Sequence, residues 1–391
     1  MKLLDVTEFY SPTGGGVRTY LTEKCRWLAT RSRAEWEHVV VVAGPRDAET
    51  RWAQSHVYSL RGPAVPVSPG YHFLVAARKL AAIVRRERPD VIEVGSPYLA
   101  PWLARRAARD SGARLVAYVH ENPRLYARRA AGLVTRYLRA AHRGFHLAVA
   151  ASEANLSGLG VPRTAVIPLG VDTELFHPAR RDPAWKGEVG ANAGQAVALY
   201  VGRLSAEKGL DVVLAALPEI HAVTGARLVL IGEGHLRRRL ERAARAQPGM
   251  LAVLPFESDR ARLARAYASA DLFLAPCPYE TFGLAALEAM ASGLPVVGVD
   301  SAGIGRLLTD ADWGRLYRVG DARECSRAVR ELLALDLPAL GRRARTVVEE
   351  RYGWGRTFGE LFALYADLVA EPSLVGAARS ARVNSRLGVC P

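Results

Sequence analysis

Cysteine is scarce in this 391-residue chain: Cys25, Cys277, Cys325 and Cys390 are widely scattered, with no C-x-x-C pair. That argues against a disulfide framework and against a cysteine-held zinc. Long hydrophobic runs are also missing. The longest reach about eight residues, against the roughly 20 needed to cross a bilayer. Met1 leads into Lys2-Leu3-Leu4-Asp5-Val6, too short an apolar stretch for a secretory leader, and a cytoplasmic protein is expected. Lysine is nearly absent: five of the 53 basic residues (Lys2, Lys24, Lys79, Lys186, Lys208), so the positive charge is almost all arginine. The dinucleotide fingerprint G-x-G-x-x-G is missing from the first glycine-rich turn, where Thr19 takes the last glycine position. A nicotinamide-dependent oxidoreductase needs that pattern.

What remains is the composition of a packed protein, 50% hydrophobic and 24% charged, long enough for two domains at roughly 100–200 residues each. The net charge of +14 invites a nucleic-acid reading. No recognition motif accompanies it, and nucleic acid is not expected as a partner. The excess sits in the first half: residues 1–177 hold 25 basic and 15 acidic side chains, the rest 28 and 24.

Short apolar runs recur, each followed by an Ala/Leu/Arg stretch with helical spacing. In the first half they are Lys2–Phe9, His38–Ala43, Val91–Val94, Arg114–Val119, Leu147–Ala150 and Ala165–Pro168. In the second they are Ala196–Val201, Arg227–Ile231, Met250–Pro255, Asp271–Ala275 and Pro295–Val299. Continuous apolar strands alternating with helices imply parallel sheets covered on both faces. Two such series predict an α/β protein of two doubly wound, Rossmann-like domains facing a central cleft. The expected boundaries are 1–177 and 178–353, followed by a helix over 354–370 returning to the first domain and a loose tail over 371–391. The segments 177–183 and 187–194 read as linker or loop, outside the core.

In open α/β sheets ligands bind beyond the carboxyl ends of the strands, so the loops there carry the candidates. The first strand ends in Ser11-Pro12-Thr13-Gly14-Gly15-Gly16, which then enters a helix. Gly15 and Gly16 would let the backbone approach a ligand, and the helix N-terminus would favour an anion; a plain tight turn reads the same way. Gly202-Arg203-Leu204-Ser205-Ala206-Glu207-Lys208-Gly209 places a guanidinium and an ammonium on one loop, suited to two sites on a diphosphate; the alternative is a solvated loop. In Glu280-Thr281-Phe282-Gly283-Leu284-Ala285-Ala286-Leu287-Glu288 a helix opens near Phe282–Leu284. Glu280 would lie just ahead of it and Glu288 about five residues inside, on the order of 7 Å along the axis. A carboxylate in so apolar a helix needs a partner or a ligand hydroxyl. His120 ends a first-domain strand facing the expected cleft; a lone histidine is usually structural, but the carboxyl end of a strand beside a candidate sugar site favours a functional one.

Taken together these segments resemble the family 4 retaining glycosyltransferases of GT-B fold, over roughly residues 1–370. The most specific part is Glu280 and Glu288 in their flanking residues, joined by the Gly202–Gly209 loop, Ile231-Gly232-Glu233-Gly234, Val166–Asp172 and Tyr352-Gly353-Trp354. The resemblance implies that Arg203 and Lys208 hold the donor diphosphate, and that Glu288 takes the ribose hydroxyls. It implies that Glu280 takes the donor sugar with the Thr281–Leu284 backbone, Phe282 and Gly283 above all, while Glu233 flanks the site. Gly15 and Gly16 would approach the distal phosphate or the sugar, and His120 the anomeric centre. No metal is needed in this family, and no cofactor beyond the nucleotide sugar, GDP-mannose being favoured over UDP-glucose or another UDP-hexose. One departure stands out: the family's Gly-Gly-x-x-Glu reads Ala302-Gly303-Ile304-Gly305-Arg306.

The resemblance predicts a hexosyltransferase acting on a lipid-linked glycolipid or glycan acceptor. Between Arg124 and Arg143 six arginines alternate with Leu125, Tyr126, Leu133, Val134, Tyr137 and Leu138. A basic amphipathic stretch suits an anionic membrane surface, which predicts peripheral docking on the inner face of the cell membrane; a solvated helix is the rival reading. A protein that binds sugar nucleotides without catalysis would carry the same ligand residues.

Overall fold

The computed structural model describes residues 1–12, 15–32, 35–66, 70–123, 127–301, 303–309 and 311–371. Thr13 and Gly14 of the first turn, Arg124–Tyr126 of the basic stretch, Ala302 and the expected tail beyond residue 371 lie outside the described residues.

Two sheets organise the chain. The first runs β1 (Lys2–Thr7), β2 (Glu37–Gly44), β3 (Ala48–Trp52), β4 (Ser55–Arg61), β5 (Val91–Val94), β6 (Arg114–Val119), β7 (Leu147–Ala150) and β8 (Thr164–Val166), in the spatial order β3-β4-β2-β1-β5-β6-β7-β8. The second runs β9 (Val197–Val201), β10 (Arg227–Ile231), β11 (Leu251–Leu254), β12 (Leu272–Ala275), β13 (Val296–Val299) and β14 (Gly314–Tyr317), in the order β11-β10-β9-β12-β13-β14. All pairings are parallel except β3 with β4. Both sheets reverse winding once, between β1 and β5 and between β9 and β12, and those two points are where ligands of such sheets bind.

Every apolar run in the sequence forms a strand. The β3–β4 hairpin and β14 do not show in that pattern. Ala48-Glu49-Thr50-Arg51-Trp52 is polar because β3 lies at the edge with its middle exposed, and β14 is a four-residue edge strand carrying Arg315. Edge strands need not be apolar on both faces.

The linker expectation for 187–194 fails at its start, at Val189, and the residues between the two expected loops also join the core. Ala184–Glu188 is a short helix, and Trp185 and Val189 are buried. A single indole among small residues fills the space under helix Arg260–Ser269, which a count of prolines and glycines does not reveal.

Helix Trp354–Ala370 lies against helix Gly16–Ala29 of the first sheet. Trp354 stacks on Phe358, and Phe362 packs against Trp27 and Trp36 at ring distances of 5.0 and 4.5 Å. The chain therefore crosses between the sheets twice, and the crossings touch: Val171 pairs in parallel with Gly353, its N–H donating to Tyr352 O at 2.7 Å.

Candidate active site

The second sheet's reversal point sets the loop after β9 beside the loop after β12. Arg203 and Lys208 come from the first, Glu280–Gly283 from the second. Gly209 lets the two meet: a Cβ there would stand 2.3 Å from Pro276 O, at a φ of +69°. Lys208 Nζ lies 3.2 Å from Glu280 Oε2 with both side chains mostly shielded. The Glu280 charge holds the Lys208 pKa above the ordinary lysine value in spite of burial. Arg203 reaches Glu207 at 3.7 Å and is 59% exposed, so the guanidinium is available at the cleft while the ammonium is fixed in its wall.

Helix Leu284–Ala291 opens at Gly283, whose φ is +96°. A Cβ at Gly283 would stand 2.6 Å from Ile304 Cδ1, and one at Gly303 2.2 Å from Glu280 O. The short helix Ile304–Leu308 that carries Arg306 thus backs its N-terminal end directly onto the Glu280 turn. Arg306 itself, with Thr281, Phe282, Ser152, Pro168 and Tyr352, lines a cavity of about 30 Å³ between the two sheets. Glu288 is the fifth residue of the helix and has found a partner. Tyr267 donates its hydroxyl to Glu288 Oε2 at 3.0 Å, and burial pushes the carboxyl up to about 7 although Arg260 opposes the shift. Arg260 also pairs with Glu23 of the first sheet's opening helix, so an ion pair crosses the cleft beside Glu288.

From the first sheet, Gly15 caps helix Gly16–Ala29 at a φ of +114°. A Cβ at Gly16 would lie 3.3 Å from Leu284 Cδ1, so the glycine turn and the opening of helix Leu284–Ala291 come together. His120 packs its ring on Tyr20 and Tyr118 at 4.8 and 4.7 Å. Burial, with the charge of Lys24, pushes its pKa down to about 3; the imidazole is neutral. Glu233 differs from the others. Its side chain is exposed and turned to Arg237 at 2.5 Å, and only its backbone touches the Arg203 loop, Glu233 O accepting from Leu204 N at 2.8 Å. Among the described residues no three His, Cys, Asp or Glu side chains gather where a metal could sit.

The sequence reading missed Tyr267, Arg260, Glu121 and Tyr98, each defined by a long-range contact. It also missed Lys24, Asp5 and Glu93, which meet under His120. The signal for those three was present: two acids inside apolar strands, and a lysine in a chain almost free of lysine.

In the basic stretch, helix Ala131–Ala141 turns Leu138 into the core and leaves Leu133 and Tyr137 exposed beside Arg129 and Arg136. Its apolar face is therefore divided between the domain and the surface. No described helix is long and apolar enough to cross a membrane.

Comparison with known proteins agrees with this geometry. The pattern of the glycosyl transferases group 1 matches residues 182–347, and that of glycosyltransferase family 4 matches residues 14–175. The chain is 33% identical over 326 residues to the GDP-mannose-dependent α-(1-6)-phosphatidylinositol dimannoside mannosyltransferase of Mycobacterium tuberculosis, covering 80% of this chain and 83% of that one. It is 32% identical over 328 residues to the GDP-mannose-dependent α-mannosyltransferase of the same species, covering 81% and 83%. The sucrose-phosphate synthase of Thermosynechococcus elongatus superposes with a TM-score of 0.78 at 20% identity, over 95% of this chain and 100% of that one. With its two parallel sheets and a relative of such identity over most of its length, this chain belongs to the group 1, family 4 glycosyltransferases: it is a glycosyltransferase of GT-B fold that uses a nucleotide sugar.

Proposed function

We propose that the enzyme transfers mannose from GDP-mannose, with retention at the anomeric carbon, to a hydroxyl of a lipid-linked or glycan acceptor. The observation that carries the reading is the Lys208–Glu280 pair at the second sheet's reversal point. It joins a fixed cation, for the departing diphosphate, to a carboxylate one turn from a helix N-terminus, for the sugar hydroxyls. The donor assignment rests on the two mannosyltransferase relatives.

Arg203 and Lys208 supply the electrostatic stabilisation of the leaving group that such a reaction needs, and no metal enters. Neutral His120 lines the sugar from the first sheet without placing a cation against an oxocarbenium-like centre. Glu288 receives the ribose hydroxyls in place of the Tyr267 hydroxyl. The C1–O bond to phosphate breaks, the acceptor oxygen bonds to C1 from the same face, and its proton passes to the departing phosphate. Glu280 and Glu288 do not act as a glycosidase acid/base pair.

Exposed Leu133 and Tyr137 among Arg129 and Arg136 support peripheral docking of the first domain on anionic lipid at the cytoplasmic face. Co-sedimentation stronger with anionic than with neutral vesicles is expected, and equal binding removes this part. For the reaction, Lys208→Ala and Glu288→Ala should each cut transfer from radiolabelled GDP-mannose by orders of magnitude. Near-normal turnover in either variant sinks the assignment, and an inverted product by NMR removes retention.

A further inference from the structure

The loop after β5 is held unusually firmly for a surface segment. Glu8, buried at the end of β1, accepts four hydrogen bonds: Leu74 N at 3.2 Å on Oε1, and the Ser96 hydroxyl at 3.1 Å, Leu99 N at 3.0 Å and Ala100 N at 3.2 Å on Oε2. Tyr98 stands on that loop. Its ring meets Phe9 edge to face at 5.6 Å, its carbonyl accepts from the Tyr137 hydroxyl, and 37% of its surface stays open. Its own hydroxyl donates to Glu121 Oε1 at 3.0 Å.

Glu121 follows His120 directly. The turn that carries it is pinned by Asn122, whose Nδ2 donates to Asn155 O at 2.8 Å and Ser157 O at 3.0 Å. Burial raises the Glu121 pKa, opposed first by the Tyr98 hydrogen bond and then by the charges of Arg203 and Lys208. The carboxylate is thus on the first-domain wall, within electrostatic reach of the cations assigned to the diphosphate.

Building on the glycosyltransfer reading above, we propose that Tyr98 and Glu121 form the acceptor subsite, and that it takes an uncharged polyhydroxylated ring, a hexose or a cyclitol. A partly exposed aromatic ring accepts the C–H side of such a ring, and a partly shielded carboxylate accepts its hydroxyl protons. A phosphate or carboxylate substituent at this point would meet like charge. Glu121 binds and orients the acceptor. The proton of the attacking hydroxyl still leaves with the phosphate, so Glu121 need not release one. Glu8 is a positioning residue that acts through the loop.

The test measures acceptor kinetics and donor affinity separately in the full-length enzyme. The probes are GDP-mannose as donor, with methyl α-mannoside, myo-inositol and vesicles containing phosphatidylinositol dimannoside as acceptors. The wild type should transfer to at least one of these rings. Glu121→Gln and Tyr98→Ala should lower kcat/KM for that acceptor about ten- to a hundredfold, the loss of one hydrogen bond to a charged group, with Glu121→Asp recovering part of it. The Kd for GDP-mannose should stay within about twofold of wild type. Unchanged acceptor kinetics in both variants overturns the proposal, as does an equal loss of donor affinity. A wild type that hydrolyses GDP-mannose yet glycosylates no ring also overturns it. A wild type that neither binds nor hydrolyses any nucleotide sugar instead overturns the reading beneath.

Discussion

Lys24 Nζ lies 2.6 Å from Glu93 Oε2, and neither side chain is reached by solvent. Asp5 completes the pairing, its Oδ1 3.0 Å from the same ammonium, and Glu93 also receives the hydroxyls of Tyr20 at 3.0 Å and Tyr365 at 2.6 Å. The opening helix, β1, β5 and the last helix are all tied at one point. Removing the cation leaves two carboxylates buried against each other. Lys24→Ala should therefore cost about 3–5 kcal/mol of stability, and Glu93→Gln in that background should restore part of it. Urea unfolding measures both, and a wild-type midpoint for Lys24→Ala would show that the cluster does not stabilise the fold.

His38 makes the same cluster sensitive to alkali. Its Nε2 lies 2.8 Å from Asp5 Oδ2; burial lowers its pKa, but the Asp5 bond overcomes this and raises it to about 9. The unfolded value is near 6.5. The folded state thus holds a proton that the unfolded chain has lost, and stability falls as pH rises from about 6.5 through 9, by roughly 1 kcal/mol per unit. Thermal melts across that window should show the decline, and His38→Gln should flatten it. An unchanged slope in the variant would place the titration elsewhere.

Donor affinity should titrate through Glu288. Raised to about 7 by burial, its carboxyl is largely protonated below that pH in the empty enzyme, and the ribose hydroxyls need the ionised form as acceptor. The Kd for GDP-mannose should weaken as pH falls from 8 to 6, approaching tenfold per unit at the acid end. Calorimetry on Glu288→Gln should give a weaker and nearly pH-independent Kd. The same pH dependence in that variant would exclude Glu288 as its source.

Gly283→Ala should damage the site from its backbone. A side chain there is strained by the positive φ and meets Ile304 Cδ1, at a cost of about 1–2 kcal/mol. The turn would have to shift, carrying Glu280 with it. Gly187→Ala, where nothing stands within 4 Å, is the control. Equal donor Kd values in the two variants would mean that this turn is not part of the donor site.

What the sequence made legible were features fixed by local pattern. Continuous apolar runs marked the buried strands, and the spacing from Glu280 to Glu288 places one carboxylate before a helix and the other inside it, as found. Strand β3 escaped because an exposed edge has no apolar period, and β4, though mostly buried, because Ser55, His56, Ser59 and Arg61 break up its apolar run. Trp185 escaped because burial of one ring is decided by a gap elsewhere in the fold. The partners of Glu288 and Glu121, Tyr267 and Tyr98, are 21 and 23 residues away in sequence and are brought in only by sheet order. Arg203 and Lys208 were legible as two cations on one loop, while the different exposure of the two was not.

The touching crossovers at Val171 and Gly353 have a mechanical meaning. A domain hung on one strand of chain can swivel about any axis. Two strands bonded side by side act as a strap, flexible in the direction in which it folds and stiff against twist. A change that opened the bond from Val171 N–H to Tyr352 O would leave the sheets joined by two separate strands of chain, and the strap would be lost.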